Sequence, residues 1–176
     1  NTNLGGWDTS KVTTLQGTFF NAASFAGKGI DKWITSSVTD LANTFRGAGS
    51  MNANLGGWAT SKVTNLGYTF LGAKKFLGDG LEKWITSEVT DLSSTFNGAL
   101  ALNSNLGGWS TSKVTLLHGT FQFAAKVVGN GISNWDVSKV VDMTYTFTSA
   151  VHPDGKRWLP ATMVTIESLS SCNRRQ

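Results

Sequence analysis

Residues 7–22, WDTSKVTTLQGTFFNA, hold the pattern that decides the fold, because the same skeleton returns five more times along the chain. Each unit opens with tryptophan, at positions 7, 33, 58, 84, 109 and 135, so the spacing alternates between 26 and 25 residues. Counted from that tryptophan, all six units have Ser at +3, Val at +5, Leu or Met at +8, Thr-Phe at +11 and +12, and Ala at +15. Self-similarity of this kind indicates a repeat architecture.

A second period lies on top of the first. Repeats 1, 3 and 5 begin Asn-x-Asn-Leu-Gly-Gly-Trp, whereas repeats 2, 4 and 6 begin Gly-x-Gly-aliphatic-x-x-Trp, so the full period is 51 residues. We therefore predict six repeats in residues 1–150, arranged as three double repeats. Residues 151–176, around Trp158, lose the pattern and are predicted to form a degenerate seventh coil that acts as a C-terminal cap.

The local pattern predicts the shape of one repeat. Val12, Leu15, Phe19 and Ala22 share one face of a helical turn, with Ser10 as its N-cap, while the β-branched residues before them favour an extended piece. The predicted fold is a repeat solenoid of leucine-rich-repeat-like coils of 25–26 residues, each with a short parallel strand and a short helical turn. A pure parallel β-solenoid is the alternative. The predicted core consists of two aromatic columns: Trp7, Trp33, Trp58, Trp84, Trp109 and Trp135, and Phe19, Phe45, Phe70, Phe96, Phe121 and Phe147.

Composition narrows the possible partners. Only 15% of residues are charged, and the net charge of +4 is spread along the chain, which argues against a nucleic-acid partner. No apolar run approaches the roughly 18 residues of a membrane span. The single cysteine, Cys172, cannot form a disulfide within the chain.

No pattern of catalytic, cofactor-binding or metal-binding residues emerges, so we expect no enzyme. His118 and His152 hold unrelated repeat positions, and Cys172 fits a buried apolar position. Asp40, Asp91 and Asp142 align at +7 in alternate repeats, which would place them about 10 Å apart, too far to share one metal ion, and favours helix-start charge or solubility as their role. The pairs Gly27-x-Gly29, Gly78-x-Gly80 and Gly129-x-Gly131 only weakly resemble calcium-binding repeats.

Residues 135–150, WDVSKVVDMTYTFTSA, resemble the BspA-like surface-protein repeat of mycoplasma-type lipoproteins. That family reads roughly Trp-Asp-Thr-Ser-x-Val-Thr-x-Met-x-x-Met-Phe-x-x-Ala, and the match extends from Leu4 to about Ala150. This chain has Leu where the family has Met at +8, and Thr where the family has Met before Phe. The resemblance implies a leucine-rich-repeat-like coil displayed outside the cell for adhesion or protein binding, without catalytic residues.

Two functional hypotheses follow. The first is a non-catalytic surface or scaffold module that binds proteins or mediates adhesion through one face, with Lys11, Lys62, Lys113 and Glu88 as candidate contacts. The second is a lattice- or glycan-binding module, for ice or polysaccharide, which would use the aligned threonines at +2 and +6. At the N-terminal edge we expect another protein, or a further part of the same chain, to cover repeat 1, because Leu4 and Trp7 belong to an ordinary coil.

Overall fold

The computed structural model describes residues 2–127 and 131–150, which contain all six repeats. Its regular elements are three 3₁₀ helices, Ile30–Lys32, Leu81–Lys83 and Ile132–Asn134, one in each even-numbered repeat. Residues at +7 form five isolated parallel bridges, Thr14–Asp40, Asp40–Asn65, Asn65–Asp91, Asp91–Leu116 and Leu116–Asp142. No helix in this part of the chain is long and apolar enough to cross a bilayer.

The fold-class prediction is wrong. Neither leucine-rich-repeat-like coils with a strand and a helical turn nor a pure parallel β-solenoid is present, because residues 2–127 and 131–150 contain no strand and only the three short 3₁₀ helices. The apolar spacing arises instead from successive tight turns. The amides of Val12, Thr18 and Ala22 each donate to the carbonyl three residues earlier. Such turns also bring residues i and i+3 to the same side, as in a helix.

Successive repeats lie on one another through a backbone ladder in which the amides from +8 to +14 donate to the following repeat, while the +6 amides donate to the preceding one, as Thr39 does to Thr13 at 2.9 Å. In repeat 1 the amides at +8, +10, +12 and +14 all donate to repeat 2, from Leu15 to Asp40, from Gly17 to Ala42, and onward to Thr44 and Arg46. The same four columns recur in every step down to repeat 6, with N···O distances of 2.7–3.1 Å. In a strand, neighbouring amides point to opposite sides. Here the intervening amides bond within their own repeat, so no strand forms.

Residues in the left-handed backbone conformation allow the amides from +8 to +14 to donate to the same neighbouring repeat. Residues at +10 and +14 have positive φ in every repeat, and they include Gly17, Asn21, Asn43 and Gly47. Alternating left-handed residues with right-handed turns points every second amide the same way. Glycine and asparagine adopt this conformation at little cost, which accounts for their frequency in these two columns.

The core lies between the turns of the stack. The Trp, Val, Leu, Phe and Ala columns of repeats 2 to 5 are buried in one continuous apolar cluster, and Met51, Leu55, Phe76, Leu81, Leu102 and Leu106 join it. Phenylalanine rings of successive repeats stack with centroids 5.5–5.6 Å apart. Because each column is shared between neighbours, burial of one repeat depends on the next.

The opening motifs of odd and even repeats differ because the backbones of the two motifs pack closely against each other. Gly29, Gly80 and Gly131, in even repeats, have φ of 85–92°. A Cβ on Gly80 would collide with the backbone of Gly56 and approach the side chain of Asn54 in the preceding repeat. The Gly-x-Gly pairs are therefore explained by tight packing. Gly129 lies outside the described residues.

This contact gives a stability prediction. Gly80→Ala should destabilise the fold by more than about 1 kcal/mol, because the new Cβ both clashes with Gly56 and forces a strained φ. Gly108→Ala is the matched control, since its Cβ would meet only an ordinary contact at 3.8 Å. It should change the free energy of unfolding by less than about 0.5 kcal/mol. Equal denaturant midpoints for the two variants would contradict the packing described.

Candidate binding surface

The tryptophan column is structural. Trp33, Trp58, Trp84, Trp109 and Trp135 are 3–4% exposed, and adjacent rings stack with centroids 6.1–6.4 Å apart. Each indole Nε1 donates to a carbonyl of the preceding repeat at 2.8–3.2 Å, so its polar atom is satisfied. A stacking ladder for sugar rings needs exposed faces, which these five residues lack. Trp7, by contrast, is 62% exposed.

The phenylalanine column follows the same division between interior and ends. Phe45, Phe70, Phe96 and Phe121 are fully buried, whereas Phe19 and Phe147 are half-buried. Beside Phe19, an open hollow of about 560 Å³ is lined by Leu4, Phe25 and the small or polar residues Thr2, Asn21, Ala22, Ala23 and Ser24. Trp7, Phe19 and this hollow form an apolar edge at repeat 1.

The candidate lysines lie on the surface at +4. Lys11, Lys62, Lys113 and Glu88 are all exposed. Glu88 and Lys113, in neighbouring repeats, form an ion pair at 2.7 Å. Lys139 holds the same position in repeat 6 and completes the column, although our sequence-based selection omitted it. The structure thus places these residues in one row and joins two of them. An exposed pair of this kind adds little to stability.

The two threonine columns differ in exposure. Thr9, Thr35, Thr60, Thr86 and Thr111 at +2 are buried, and the hydroxyls of the first four donate to the next repeat at 3.0–3.2 Å. Within the described residues Thr111 Oγ1 has no hydrogen-bond partner. The +6 threonines are on the surface, and the hydroxyls of Thr39, Thr64, Thr90 and Thr115 donate to the preceding repeat at 3.2–3.3 Å. Only the +6 column can face a ligand.

The carboxylates at +7 close turns. Oδ1 of Asp40, Asp91 and Asp142 accepts the amide two residues later at 2.7–2.9 Å, and Asn65 does the same in repeat 3. Partial burial would raise the pKa of Asp142, but the amide and hydroxyl of Thr144 donate to it and His118 lies nearby, so its pKa is lowered. In these four repeats the side chain at +7 thus accepts the +9 amide, which donates to no backbone carbonyl.

Two exposed carboxylates play a similar part at +1. The Ser10 hydroxyl and amide donate to Asp8 and lower its pKa, and Ser138 acts in the same way on Asp136 with a further contribution from the Lys139 charge. Ser10 is therefore not the helix cap that its position suggested. It is the donor in an aspartate-closed turn.

Sequence reasoning missed a group of aromatic residues and one arginine at +10, +13 and +14. The Arg46 guanidinium lies 5.2 Å from the Phe20 ring centroid and 5.5 Å from that of Tyr68, with Phe20 and Tyr68 in the repeats on either side. Phe123 and Tyr145 are exposed on the same columns further along. Because none of these residues recurs in every repeat, a search for periodic positions passes over them. We call Phe20, Arg46, Tyr68, Phe123 and Tyr145 the aromatic–arginine surface.

The remaining chemical candidates are scattered. His118 Nδ1 lies 2.6 Å from Thr144 Oγ1 and 3.7 Å from Asp142 Oδ2, and its ring packs edge-on against Tyr145. Within the described ranges, no group of three or more His, Cys, Asp or Glu side chains is placed to hold a metal ion. His152, Cys172, Trp158 and the predicted C-terminal cap all lie outside those ranges.

A comparison with known protein families identifies the family of this chain. The family described as "Mycoplasma protein of unknown function, DUF285" matches residues 1–81 and 68–167. The chain belongs to the DUF285 family. Each of the two matches spans several of the repeats defined here. The narrower resemblance to leucine-rich repeats gains no support. No curated protein and no solved structure matches the chain.

The turn-closing role of the +7 carboxylate gives a second prediction. Asp91→Ala should destabilise the fold by about 1 kcal/mol, because the Ser93 amide loses its acceptor. Asp91→Asn should be close to neutral, since Asn65 already closes the equivalent turn in repeat 3. Thermal or urea unfolding of both variants provides the measurement. If Asn were as harmful as Ala, the carboxylate charge rather than the turn bond would be the important feature.

Proposed function

We propose that this chain is a non-catalytic binding module, displayed at the cell surface, that holds other proteins along one side of its repeat stack. The observation that supports this most is the contrast between a constant frame and a variable surface. The core columns and the four ladder bonds are the same from repeat to repeat. Repeat proteins of this design offer extended surfaces on which individual side chains can change without loss of the fold.

The surface columns vary where the core does not. At +4 the repeats carry Lys11, Ser37, Lys62, Glu88, Lys113 and Lys139, and at +13 they carry Phe20, Arg46, Leu71, Asn97, Gln122 and Thr148. A structural requirement would hold these columns constant. Their variation on a fixed frame supports recognition of a partner.

We further propose that the chain carries no catalytic activity. In the described residues the polar surface groups are spread along columns, with Glu88 paired to Lys113 and His118 beside Thr144 on separate columns. A catalytic site needs several such groups to converge on one point. Display at the cell surface is proposed from the resemblance to BspA-like surface repeats.

A second site of contact is proposed at repeat 1, where another protein or a further part of the same chain covers the edge. Trp7 is exposed although its five counterparts are buried, and Phe19 and Phe25 line an open hollow beside Leu4. An exposed apolar patch of this kind marks an interaction site in a soluble protein.

Binding of glycan or an ordered lattice is the second candidate function, and the exposed +6 column is what favours it. Thr13, Thr39, Thr64 and Thr90 lie on the surface in consecutive repeats, at the regular spacing of the ladder. The hydroxyls of Thr39, Thr64 and Thr90 already donate to the preceding repeat, and each retains its acceptor lone pairs.

The two functions can be separated by affinity capture. The immobilised chain is offered native surface proteins in one arm and cell-wall polysaccharide or ice in the other. We expect saturable protein binding. A Thr39→Val, Thr64→Val double variant, which removes exposed hydroxyls, should leave that binding unchanged. Retention of polysaccharide alone, lost in the threonine variant, would favour the second function and refute the first.

The edge at repeat 1 is tested by self-association. Light scattering of the chain at rising concentration should show association that Trp7→Ser reduces, because the substitution removes the exposed ring. Leu77→Ser, at another exposed apolar position, is the matched control and should leave association unchanged. A chain that stays monomeric, with no partner protecting Trp7 from quenching of its fluorescence, would contradict the proposal.

A further inference from the structure

Arg46 is a cation without an acidic partner in the described part of the chain. Its guanidinium lies between the rings of Phe20 and Tyr68, and Nη1 donates to Asn43 Oδ1 at 3.2 Å. The salt bridges there join other residues. Rings on both sides hold the planar group in place and leave several of its five N–H donors available. Such a preorganised guanidinium suits two-point binding of a carboxylate.

Three aromatic side chains stand where the backbone disfavours them. Tyr68, Phe123 and Tyr145 have φ of 59–62°, in columns that other repeats fill with glycine, asparagine or serine. A non-glycine residue in this region costs on the order of 1 kcal/mol. Phe123 gains only part of the burial of a core ring in return, because it is 50% exposed. Strain kept at an exposed aromatic residue points to a binding role.

The charged residues between +8 and +17 of each repeat are all cationic. No Asp or Glu occurs between +8 and +17 in any of the six repeats, whereas Arg46, Lys74, Lys75 and Lys126 fall within those positions. Every carboxylate of the six repeats lies at other positions, such as Asp91 at +7 and Glu88 at +4. The cations at these positions are complementary to an acidic partner around Arg46, while Asp142 lies beside His118 at the far end of the surface, next to Tyr145.

Apolar side chains on the same columns narrow the class of partner. Leu71 follows Arg46 at +13, and Leu100 at +16 is exposed, as are Phe20 and Phe123. Sulfated glycans and nucleic acids offer few aliphatic groups to such residues. Aromatic residues and arginine are also the side chains that contribute most to protein–protein binding. The combination favours a polypeptide over another polyanion.

We propose that the aromatic–arginine surface binds an acidic polypeptide segment with interspersed apolar side chains, and that Arg46 pairs with one of its carboxylates. This inference rests on the proposed protein-binding function and adds the surface and the chemistry of the partner. The lysines at +4 are then peripheral, and Arg46 with its two flanking rings forms the centre of the contact.

The test uses the full chain and a labelled synthetic peptide in which glutamate alternates with leucine and tyrosine. Anisotropy titration at about 0.15 M salt should show saturable binding. Arg46→Gln should weaken it by about tenfold or more. Lys62→Gln, an equal loss of charge at +4, should weaken it less than about twofold. The same peptide with lysine in place of glutamate should not bind.

A second variant separates binding from folding. Tyr68→Gly removes a ring beside Arg46 and relieves a left-handed residue, so it should weaken peptide binding several-fold while leaving the unfolding midpoint equal or higher. The proposal is overturned if the wild-type chain does not bind the peptide. It is also overturned if Arg46→Gln and Lys62→Gln lose binding equally, or if heparin binds at this surface and the peptide does not.

Failure of this inference can be distinguished from failure of the proposed protein-binding function. If surface proteins are captured by the wild-type chain and equally by Arg46→Gln, protein binding stands and this surface is the wrong one. If no protein is captured, the proposed function itself fails. Capture that Arg46→Gln abolishes, Lys62→Gln preserves and the acidic peptide displaces would support both.

Discussion

The backbone ladder between repeats is the interaction on which the rest of the structure depends. Every second amide from +8 to +14 donates to the following repeat, and the intervening amides close turns within their own repeat. In this arrangement the +9 amide donates its hydrogen bond to the side chain at +7. The residues at +10 and +14 must adopt a left-handed conformation. It also turns the +8 and +12 side chains into the core. The Leu and Phe columns are thus consequences of the hydrogen bonding as much as of hydrophobicity.

The same ladder separates stability from recognition. Because the frame is held by backbone bonds and by inward columns, side chains at +4, +10, +13 and +14 can vary freely. At +10 and +14, however, variation carries a cost, since any residue other than glycine is strained to some degree. Glycine at Gly72 and Gly98 avoids that cost, and phenylalanine at Phe123 accepts it. An exposed aromatic residue in such a column is therefore better evidence of function than one elsewhere on the surface.

The period of the sequence indicates which positions recur, because interior positions must recur when each repeat packs on the next, although Trp7 at such a position is 62% exposed. The local conformation could not be predicted in this way. A spacing of three residues is common to helices and to successive tight turns. Glycine, which would have indicated left-handed backbone at +10, is replaced there by Tyr68 and Tyr145 in two repeats. The aspartates at +7 suggest helix-start charge or solubility, whereas in the structure their Oδ1 atoms accept the amide two residues later and close turns. Arg46 and Phe20 recur nowhere, so only the structure brings them together.

The direction of the ladder from +8 to +14 also makes the two ends of the stack different. In repeats 2 to 6 the carbonyls at +7, +9, +11 and +13 accept bonds from the repeat before, so in repeat 1 the carbonyls of Thr14, Gln16, Thr18 and Phe20 face away from repeat 2. Along these four columns the edge therefore offers only acceptors, whereas at +6 the direction is reversed and the amide donates to the repeat before, as Thr39 does to Thr13 at 2.9 Å. Any repeat added there must present amides, in the same direction as the others.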